Sequence, residues 1–227
     1  MSVFSYVIEH DLGFAPNPFH RVCTLACCKP KIRKKAKLGD YILGMGAVRP
    51  KLQGCITFWM RVDEILTFDE YWNDIRFRRK KPIMGGTTYL RYGDNIYHRD
   101  SESEFQQEDS FHSLEDGSVS LGDLRRDTGT TEKVLIAREF AYWGRSGIKL
   151  PDELKCFVIT GPGHKSKFSK KQIERLMGWL ATHPECGYLD EPAHWQFLGK
   201  KAHIRKEAVA SVMKAAVTVG PRYQGAH

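Results

Sequence analysis

Long apolar runs are missing from this sequence of 227 residues. No stretch approaches the ~20 apolar residues that a transmembrane helix needs, and the amino end, MSVFSYVIEHDLG, lacks the basic start and long apolar segment of a signal peptide. The chain also contains no internal repeat and no long low-complexity tract. With 41% hydrophobic and 27% charged residues, it has the composition of a soluble globular protein. We therefore expect a cytoplasmic protein with no membrane partner.

The usual spacing of metal-binding cysteines is missing as well. The six cysteines lie at positions 23, 27, 28, 55, 156 and 186. Cys23-x-x-x-Cys27-Cys28 matches neither the paired C-x-x-C of structural zinc sites nor the spacing of iron–sulfur ligands. Without a secretory signal, reduced thiols are expected rather than disulfides. Burial is the common role of such cysteines, but a reactive thiol here would have Lys29 and His20 nearby to activate it.

Acidic residues are fewer than basic ones. Thirty-five Lys and Arg against 27 Asp and Glu give a net charge of +8 and a pI near 9.2. This surplus favours an anionic partner, namely a nucleotide or a nucleic acid. Six cations fall within the nine residues 29–37, and a second basic run follows at residues 76–81. Phosphate binding needs several close cations, although a solvated basic turn has the same composition.

Local patterns predict both strands and helices. Runs rich in β-branched and aromatic residues predict strands at residues 4–9, 41–45, 55–65, 134–143 and 156–160. A capping box at Thr67 and Glu70 and a cap at Ser169 predict two helices, and apolar spacing predicts a third at residues 205–218. We expect an α+β fold, a single domain with a curved mixed or antiparallel sheet flanked by helices.

The motif His98-x-Asp100, followed by His112, has several interpretations. His-x-Asp is two thirds of the facial triad of non-haem iron oxygenases, and His164 or His194 could supply the distant second histidine. A polar loop that binds a ligand, with His98 and Asp100 as acid–base groups, fits the same residues. A purely structural turn fits them too.

Two irregular segments also suggest function. Residues 83–133 form a long stretch without strong periodicity, which is unusual inside a compact domain and often functional. Residues 161–165, GPGHK, lie between a predicted strand and a predicted helix, where glycines and free amides could approach a phosphate. The segment lacks the Walker spacing, and a simple connecting loop needs no ligand.

Several phrases resemble a known family: DLGFAPNPFH, CTLACCKPKIR, GDYILGMG, RVDEILTFDEYW, GDNIYHRD and FAYWG. They are similar to the nucleotide-modification-associated domain of the second type, which is found with DNA base modification systems of bacteria and phages. The resemblance runs from about residue 5 to about 195. It implies an α+β domain over residues 1–200 that makes, reads or processes altered nucleotides, followed by a C-terminal helix and tail over 201–227. It carries over no catalytic mechanism.

The polar positions of this family can be placed on the chain. They fall on Asp11, Asn17, Cys23, Thr24, Cys28, Lys29, Arg33, Asp94, Asn95, His98, Asp100, Ser110, His112 and Asp127. Arg21 stands where a glycine is expected. The basic stretch followed by Gly-Asp and a strand is also similar to small PUA-like barrels that read modified bases, with Trp59, Trp72, Tyr97 and Trp143 available as aromatic walls.

Two classes of function follow from these residues, and an enzyme of nucleotide or base modification is the first. Its catalytic candidates, expected to converge in one pocket, are Asp11, Cys23, Cys28, His98, Asp100 and His112. The predicted nucleotide-binding residues are Asn17, Thr24, Lys29, Lys31, Arg33, Asp94, Asn95 and Tyr97.

A non-catalytic reader of a modified base or nucleotide is the second class, because no complete catalytic motif is present. The metal-dependent oxygenase is a further alternative, although no metal ligand is assigned. The cofactor, reaction, substrate and oligomeric state are left open.

Overall fold

The structure is a computed structural model that describes residues 1–197, in which eleven strands form three sheets and helices pack around them. In chain order, the strands and α-helices are β1 (Val3–Ile8), β2 (Cys23–Leu25), α1 (Pro30–Lys35), β3 (Tyr41–Gly46), β4 (Cys55–Arg61), β5 (Glu64–Leu66), α2 (Phe68–Asn73), α3 (Thr88–Arg91), β6 (Tyr97–Arg99), β7 (Phe105–Gln107), α4 (Leu121–Thr128), β8 (Val134–Ala137), β9 (Phe140–Tyr142), β10 (Ile148–Lys149), α5 (Lys170–Ala181) and β11 (Gly187–Tyr188). Short 3-10 helices lie at Ile75–Lys80, Gly144–Ser146, Asp152–Phe157 and Trp195–Phe197.

The main sheet is mixed and has the strand order β1-β3-β4-β9-β11, with β10 also paired to β4. β1 runs parallel to β3 and β11 parallel to β9, whereas the central pairs β3–β4 and β4–β9 are antiparallel. Neighbouring strands approach closely at Gly44, where a Cβ atom would lie 2.3 Å from the Phe58 ring. Only glycine fits at that position without displacing the ring.

Both faces of the main sheet are buried, and side chains alternate between the two faces along each strand. Phe58 and Met60 of β4 point into a core that the second sheet, β2-β8-β5, covers. Trp59 points to the opposite face, where α5 contributes Leu176 and Leu180. The outer face of the second sheet packs on a third core that includes residues of α2 and β6. The sheets stay open rather than closing into a barrel, and the α+β class is confirmed.

Two predicted strands each divide in two. The predicted strand 55–65 becomes β4 and β5, and 134–143 becomes β8 and β9, so both segments pass from one sheet to the other at a corner. Asp63 holds this corner, because its carboxylate accepts the backbone N–H groups of Arg138 at 2.7 Å and Glu139 at 3.2 Å. The periodicity of the sequence does not reveal that a segment passes from one sheet to another.

The predicted strand at residues 156–160 is wrong. A 3-10 helix occupies Asp152–Phe157 and buries Leu154 and Phe157, three residues apart, on one side. Short apolar runs fit a buried helical turn as well as a strand, and here the turn packs against α5.

The two predicted helix starts with polar caps are confirmed. Thr67 and Glu70 form a reciprocal capping box at α2, and Ser169 forms one with Gln172 at α5. α2 is short, however, and ends at Asn73. The helix predicted at residues 205–218 lies outside the described residues. Every helix within residues 1–197 is too short or too polar to cross a bilayer.

Candidate functional site

Cys28 lies in a tight connection between β2 and α1. Cys28 and Lys29 both adopt left-handed backbone angles, with φ of 58° and 43°, which costs a non-glycine residue about 1–2 kcal/mol. Hydrogen bonds to the N–H and to the carbonyl of Cys28 hold this backbone conformation. The Cys28 N–H donates to Asp127 Oδ1 at 2.9 Å, and the Cys28 carbonyl accepts from Arg33 Nε at 2.9 Å. The cysteine is thereby fixed in a strained, half-buried position.

Three side chains from distant parts of the chain meet at this cysteine. The Cys28 sulfur lies 3.5 Å from His112 Nε2. The other ring nitrogen, His112 Nδ1, lies 3.2 Å from Asp127 Oδ2. The imidazole therefore stands between a thiol and a carboxylate, each on its own nitrogen. This order of nucleophile, base and orienting group is the arrangement that activates thiols and hydroxyls in covalent catalysis.

Asp127 is the fully buried anchor of the cluster, on α4. Besides the Cys28 N–H, its carboxylate accepts hydrogen bonds from the Tyr97 hydroxyl at 3.0 Å and from Arg126 Nε at 3.0 Å. Burial alone would raise the pKa of this carboxyl. The hydrogen bonds and positive charges of His112 and Arg126 overcome burial and hold the pKa well below its ordinary range. Asp127 therefore stays ionised.

His112 carries a positive charge at neutral pH. Burial would lower its pKa, but the hydrogen bonds to Asp127 and Cys28 raise it to about 9. The Phe14 ring packs edge-on against the imidazole with centroids 4.6 Å apart, so the ring is held in place. An imidazolium ion thus faces the Cys28 sulfur.

Two further cations border the sulfur. Arg126 Nη2 lies 3.8 Å from the Cys28 sulfur and 3.3 Å from His112 Nε2, and its side chain is 43% exposed. The Lys29 ammonium lies 4.6 Å from the centre of the Tyr6 ring and donates to the Val7 carbonyl at 3.4 Å. These groups provide positive charge where an anionic substrate would approach the thiol.

A metal ion is a further occupant to test at this cluster. Cys27, His112 and Asp127 place their potential ligand atoms within 4.8 Å of one another. However, four donors already occupy the Asp127 carboxylate. Cys27 donates to the Asp94 carbonyl at 3.3 Å, and burial raises its thiol pKa well above the ordinary value. A protonated thiol and a saturated carboxylate suit proton transfer better than metal ligation.

The comparison with protein families agrees with the resemblance of the sequence. The family model described as nucleotide modification associated domain 2 matches residues 1–199. The chain belongs to this family. Membership supports a general role in nucleotide modification. No curated protein and no solved structure matches the chain.

In this member of the nucleotide modification associated domain 2 family, four of the predicted nucleotide-binding residues lie in a buried network. They are Asn17, Thr24, Asp94 and Asn95, each at most 1% exposed. Lys80 joins them, with its ammonium 2.7 Å from Asn17 Oδ1 and 3.2 Å from Thr24 Oγ1. Asp94 accepts from the Thr24 hydroxyl at 2.6 Å. Burial lowers the Lys80 pKa to about 8. The polar groups of this network bind one another rather than a ligand. They connect the loop at residues 11–22 to the second sheet.

Arg33 and Tyr97 support the cysteine site. Arg33 is fully buried and donates to the carbonyls of Cys28 at 2.9 Å, Lys133 at 2.9 Å and Asp127 at 2.5 Å. Its guanidinium is therefore engaged with protein rather than offered to a ligand. Tyr97 is 1% exposed and donates to Asp127.

Asp11 and Cys23 are buried, and they lie outside the cluster of Cys28, His112 and Asp127. Asp11 accepts from the Tyr142 hydroxyl and from the Ala193 N–H, and burial raises its pKa to about 6. Cys23 is fully buried, and burial raises its thiol pKa to about 12. Both lie within electrostatic range of the Tyr6 phenol, as Cys28 does. Neither touches His112 within residues 1–197.

His98 and Asp100 form a separate surface feature. The His98 ring stacks on Trp72 with centroids 4.1 Å apart, and its Nε2 lies 2.9 Å from Glu108 Oε1. The Asp100 carboxylate accepts N–H groups within its own turn, including that of Glu102 at 2.9 Å. Within residues 1–197, no third metal ligand joins this pair. The iron site considered from the sequence is not assembled there.

A separate cavity of about 570 Å³ lies near β9 and β11. Aromatic and cationic side chains line it: Phe19, Tyr89, Phe140, Tyr188, His20, Arg21 and Arg138. Its lining includes neither Cys28 nor His112.

Arg126 and the role of Asp127 were missed by the sequence reasoning. Asp127 falls on a polar position of the family, but it lies 99 residues from Cys28 along the chain. His112 is 84 residues from Cys28. Separations of this size leave no local motif for a sequence pattern to detect.

Proposed function

We propose that this protein is an enzyme of nucleotide or base modification that uses Cys28 as its nucleophile. In this proposal His112 moves the proton, and Asp127 fixes the imidazole and balances its charge. The observation that carries it is the placement of His112, with Nε2 at 3.5 Å from the sulfur and Nδ1 at 3.2 Å from Asp127. The family's general role in nucleotide modification supplies the substrate class.

The proposed first step is an addition. The Cys28 thiolate attacks an electrophilic carbon of the nucleotide or base and forms a C–S bond. The electron pair of the broken π bond moves to the neighbouring oxygen or nitrogen, which accepts the proton from His112 Nε2. Asp127 stays ionised throughout. Arg126, 3.8 Å from the sulfur, is placed to stabilise negative charge that develops on the substrate.

The Cys28 N–H does not act as an oxyanion donor in this proposal. The N–H of Cys28 itself is bound to Asp127 at 2.9 Å, so it is not free for the substrate. The side chain of Arg126 takes that position instead, because its guanidinium reaches both the sulfur and His112. The positive charge at this point also suits a phosphate or an electron-rich base edge.

A non-catalytic reader of modified bases is the second candidate, and the aromatic cavity near β9 and β11 favours it. Phe19 and Tyr188 meet there with ring centroids 5.4 Å apart, beside Arg21 and Arg138. Aromatic walls with cations are typical of sites that stack a base and hold its phosphate. A reader would bind a nucleotide and leave its mass unchanged.

Mass spectrometry of nucleotides and short strands incubated with the protein tests the two candidates. The enzyme proposal expects a product whose rate of formation falls by at least about 10³-fold in Cys28→Ser, since the nucleophile is lost. Cys55→Ser, at another partly exposed cysteine, and His98→Ala are expected to stay within about threefold of the wild type. Equal product formation by Cys28→Ser would refute the proposal, and tight binding without any product would favour the reader.

A further inference from the structure

Helix α1 presents a set of exposed lysines on one face. Lys31, Lys34 and Lys35 occupy positions i, i+3 and i+4 and therefore share one face. They are exposed, as is Lys37 just beyond the helix. Within residues 1–197, none of the four ammonium groups forms an ion pair with a carboxylate. The opposite face of the same helix is buried through Ile32 and Arg33, which keeps the lysines outward. We name these four lysines the basic ridge.

The second basic run of the sequence is neutralised only in part. Arg76 pairs with Glu64 at 2.7 Å and with Asp74 at 2.5 Å. Lys80 is buried in the Asn17 network, and Lys81 lies 3.2 Å above the centre of the Trp72 ring. Arg78 and Arg79 stay exposed in this run, so within residues 1–197 it offers two exposed cations without an ion pair, against four in the basic ridge.

The 161–165 loop lies next to the basic ridge. Ser5 of the edge strand β1 pairs with Lys165 through backbone hydrogen bonds of 2.9 and 2.8 Å, and the Phe4 ring contacts the His164 ring with centroids 6.0 Å apart. Burial and the charges of Lys35, Lys31 and Lys29 lower the His164 pKa. Segments about 130 residues apart in the chain thus lie within electrostatic range of one another beside β1.

The basic ridge begins next to the proposed nucleophile. Cys28 and Lys29 immediately precede α1, and six helical residues span ~9 Å. Successive phosphates of one strand in a duplex are ~3.4 Å apart along the axis, so the ridge matches about three phosphates. A free nucleotide bound at Cys28 would leave most of these lysines without a partner.

We propose that the substrate is a polynucleotide strand rather than a free nucleotide. Its phosphate backbone lies along the basic ridge, and the base that reacts lies at Cys28. This inference rests on the proposed function for the identity of the reacting group. The placement of the backbone rests on the lysines alone, and it can be measured without catalysis.

Fluorescence anisotropy with a labelled 12-nucleotide single strand and a labelled mononucleotide tests the inference over a series of salt concentrations. Three phosphate contacts predict a slope of log K against log salt of about −2.1 for the strand. The strand is expected to bind at least about tenfold more tightly than the mononucleotide at low salt. The variant Lys31→Gln, Lys34→Gln, Lys35→Gln, Lys37→Gln is expected to lose at least tenfold in affinity and to flatten the slope towards zero.

A matched variant separates position from net charge. Arg78→Gln, Arg79→Gln, Lys171→Gln, Arg175→Gln removes the same four charges from exposed positions elsewhere, and it is expected to retain the wild-type slope. Equal losses in the two variants, or an unchanged slope in the ridge variant, would overturn the inference. So would binding of the ridge to vesicles containing anionic lipid with no affinity for the strand.

Failure of this inference can be distinguished from failure of the proposed function. Cys28→Ser leaves the lysines intact and is expected to bind the strand as the wild type does. If strand binding depends on the ridge while turnover is independent of Cys28, the inference about the backbone stands and the proposed function fails. If turnover depends on Cys28 but free nucleotides are better substrates than strands, the proposed function stands and this inference is overturned.

Discussion

Iodoacetamide is expected to alkylate Cys28 about 10- to 100-fold faster than Cys186 at pH 7. Exposure alone predicts the reverse, since Cys186 is exposed and Cys28 is half-buried. The difference comes from His112, whose imidazolium faces the Cys28 sulfur. That positive charge stabilises the negative charge on the sulfur as it attacks, and one charged or hydrogen-bonding group placed in this way changes a reaction rate by on the order of 10²-fold. Peptide mass spectrometry over a time course gives both rates from one sample.

The substitution His112→Gln separates activation from access in that experiment. Glutamine keeps a polar side chain at the site but removes the positive charge, so the Cys28 rate is expected to fall by at least about tenfold while the Cys186 rate is unchanged. Cys23 and Cys27, which are fully buried, serve as internal standards for unfolding. An unchanged alkylation rate of Cys28 in His112→Gln would show that the contact between His112 and the Cys28 sulfur has no effect on the reactivity of the thiol.

Asp127→Ala is expected to reduce the free energy of unfolding by about 3–5 kcal/mol, the cost of breaking a buried ion pair from one side. The substitution leaves the Cys28 N–H, the Tyr97 hydroxyl and the His112 imidazolium without their acceptor. Asp123→Ala on the same helix is the matched control. Asp123 pairs with exposed Arg126 and is itself 28% exposed, so its loss is expected to cost less than about 1 kcal/mol. Urea unfolding at pH 7 measures both.

The effect of Asp127 on stability has a definite pH dependence. Its pKa in the folded protein lies below the ordinary value of 3.8, so its contribution is fully present above about pH 4. That contribution is lost as the pH falls further and the carboxylate becomes protonated. The gap between wild type and Asp127→Ala is therefore expected to narrow below pH 4. Equal unfolding free energies for Asp127→Ala and Asp123→Ala at pH 7 would contradict the anchoring role.

The local parts of the fold followed from the sequence, because local interactions produce them. The capping boxes at Thr67 and Ser169 are contacts between residues three positions apart, and the structure contains both. The division of two predicted strands depends on Asp63 meeting the backbone at Arg138 and Glu139. No pattern within a short window reveals such a contact. The apolar run at 156–160 fits two structures equally, and tertiary packing decided between them.

The candidate site shows the same division between local and long-range information. Residue chemistry selected Cys28 and His112 among the catalytic candidates, and the structure places them in contact. Sequence could not select their carboxylate partner among Asp11, Asp100 and Asp127, because the choice depends on contacts across about 100 residues. Charge patterning also treated Arg33 like its neighbouring lysines, although helical geometry turns Arg33 inward and the lysines outward.

Titration of the His112 imidazole by NMR tests most directly whether Cys28, His112 and Asp127 act as one unit. In the wild type the ring is expected to lose its proton near pH 9, because Asp127 and Cys28 hold the charged form against the cost of burial. Cys28→Ser and Asp127→Asn are each expected to move that titration towards the ordinary value of 6.5. A wild-type titration already near 6.5, unmoved by either substitution, would contradict the proposed catalytic cluster.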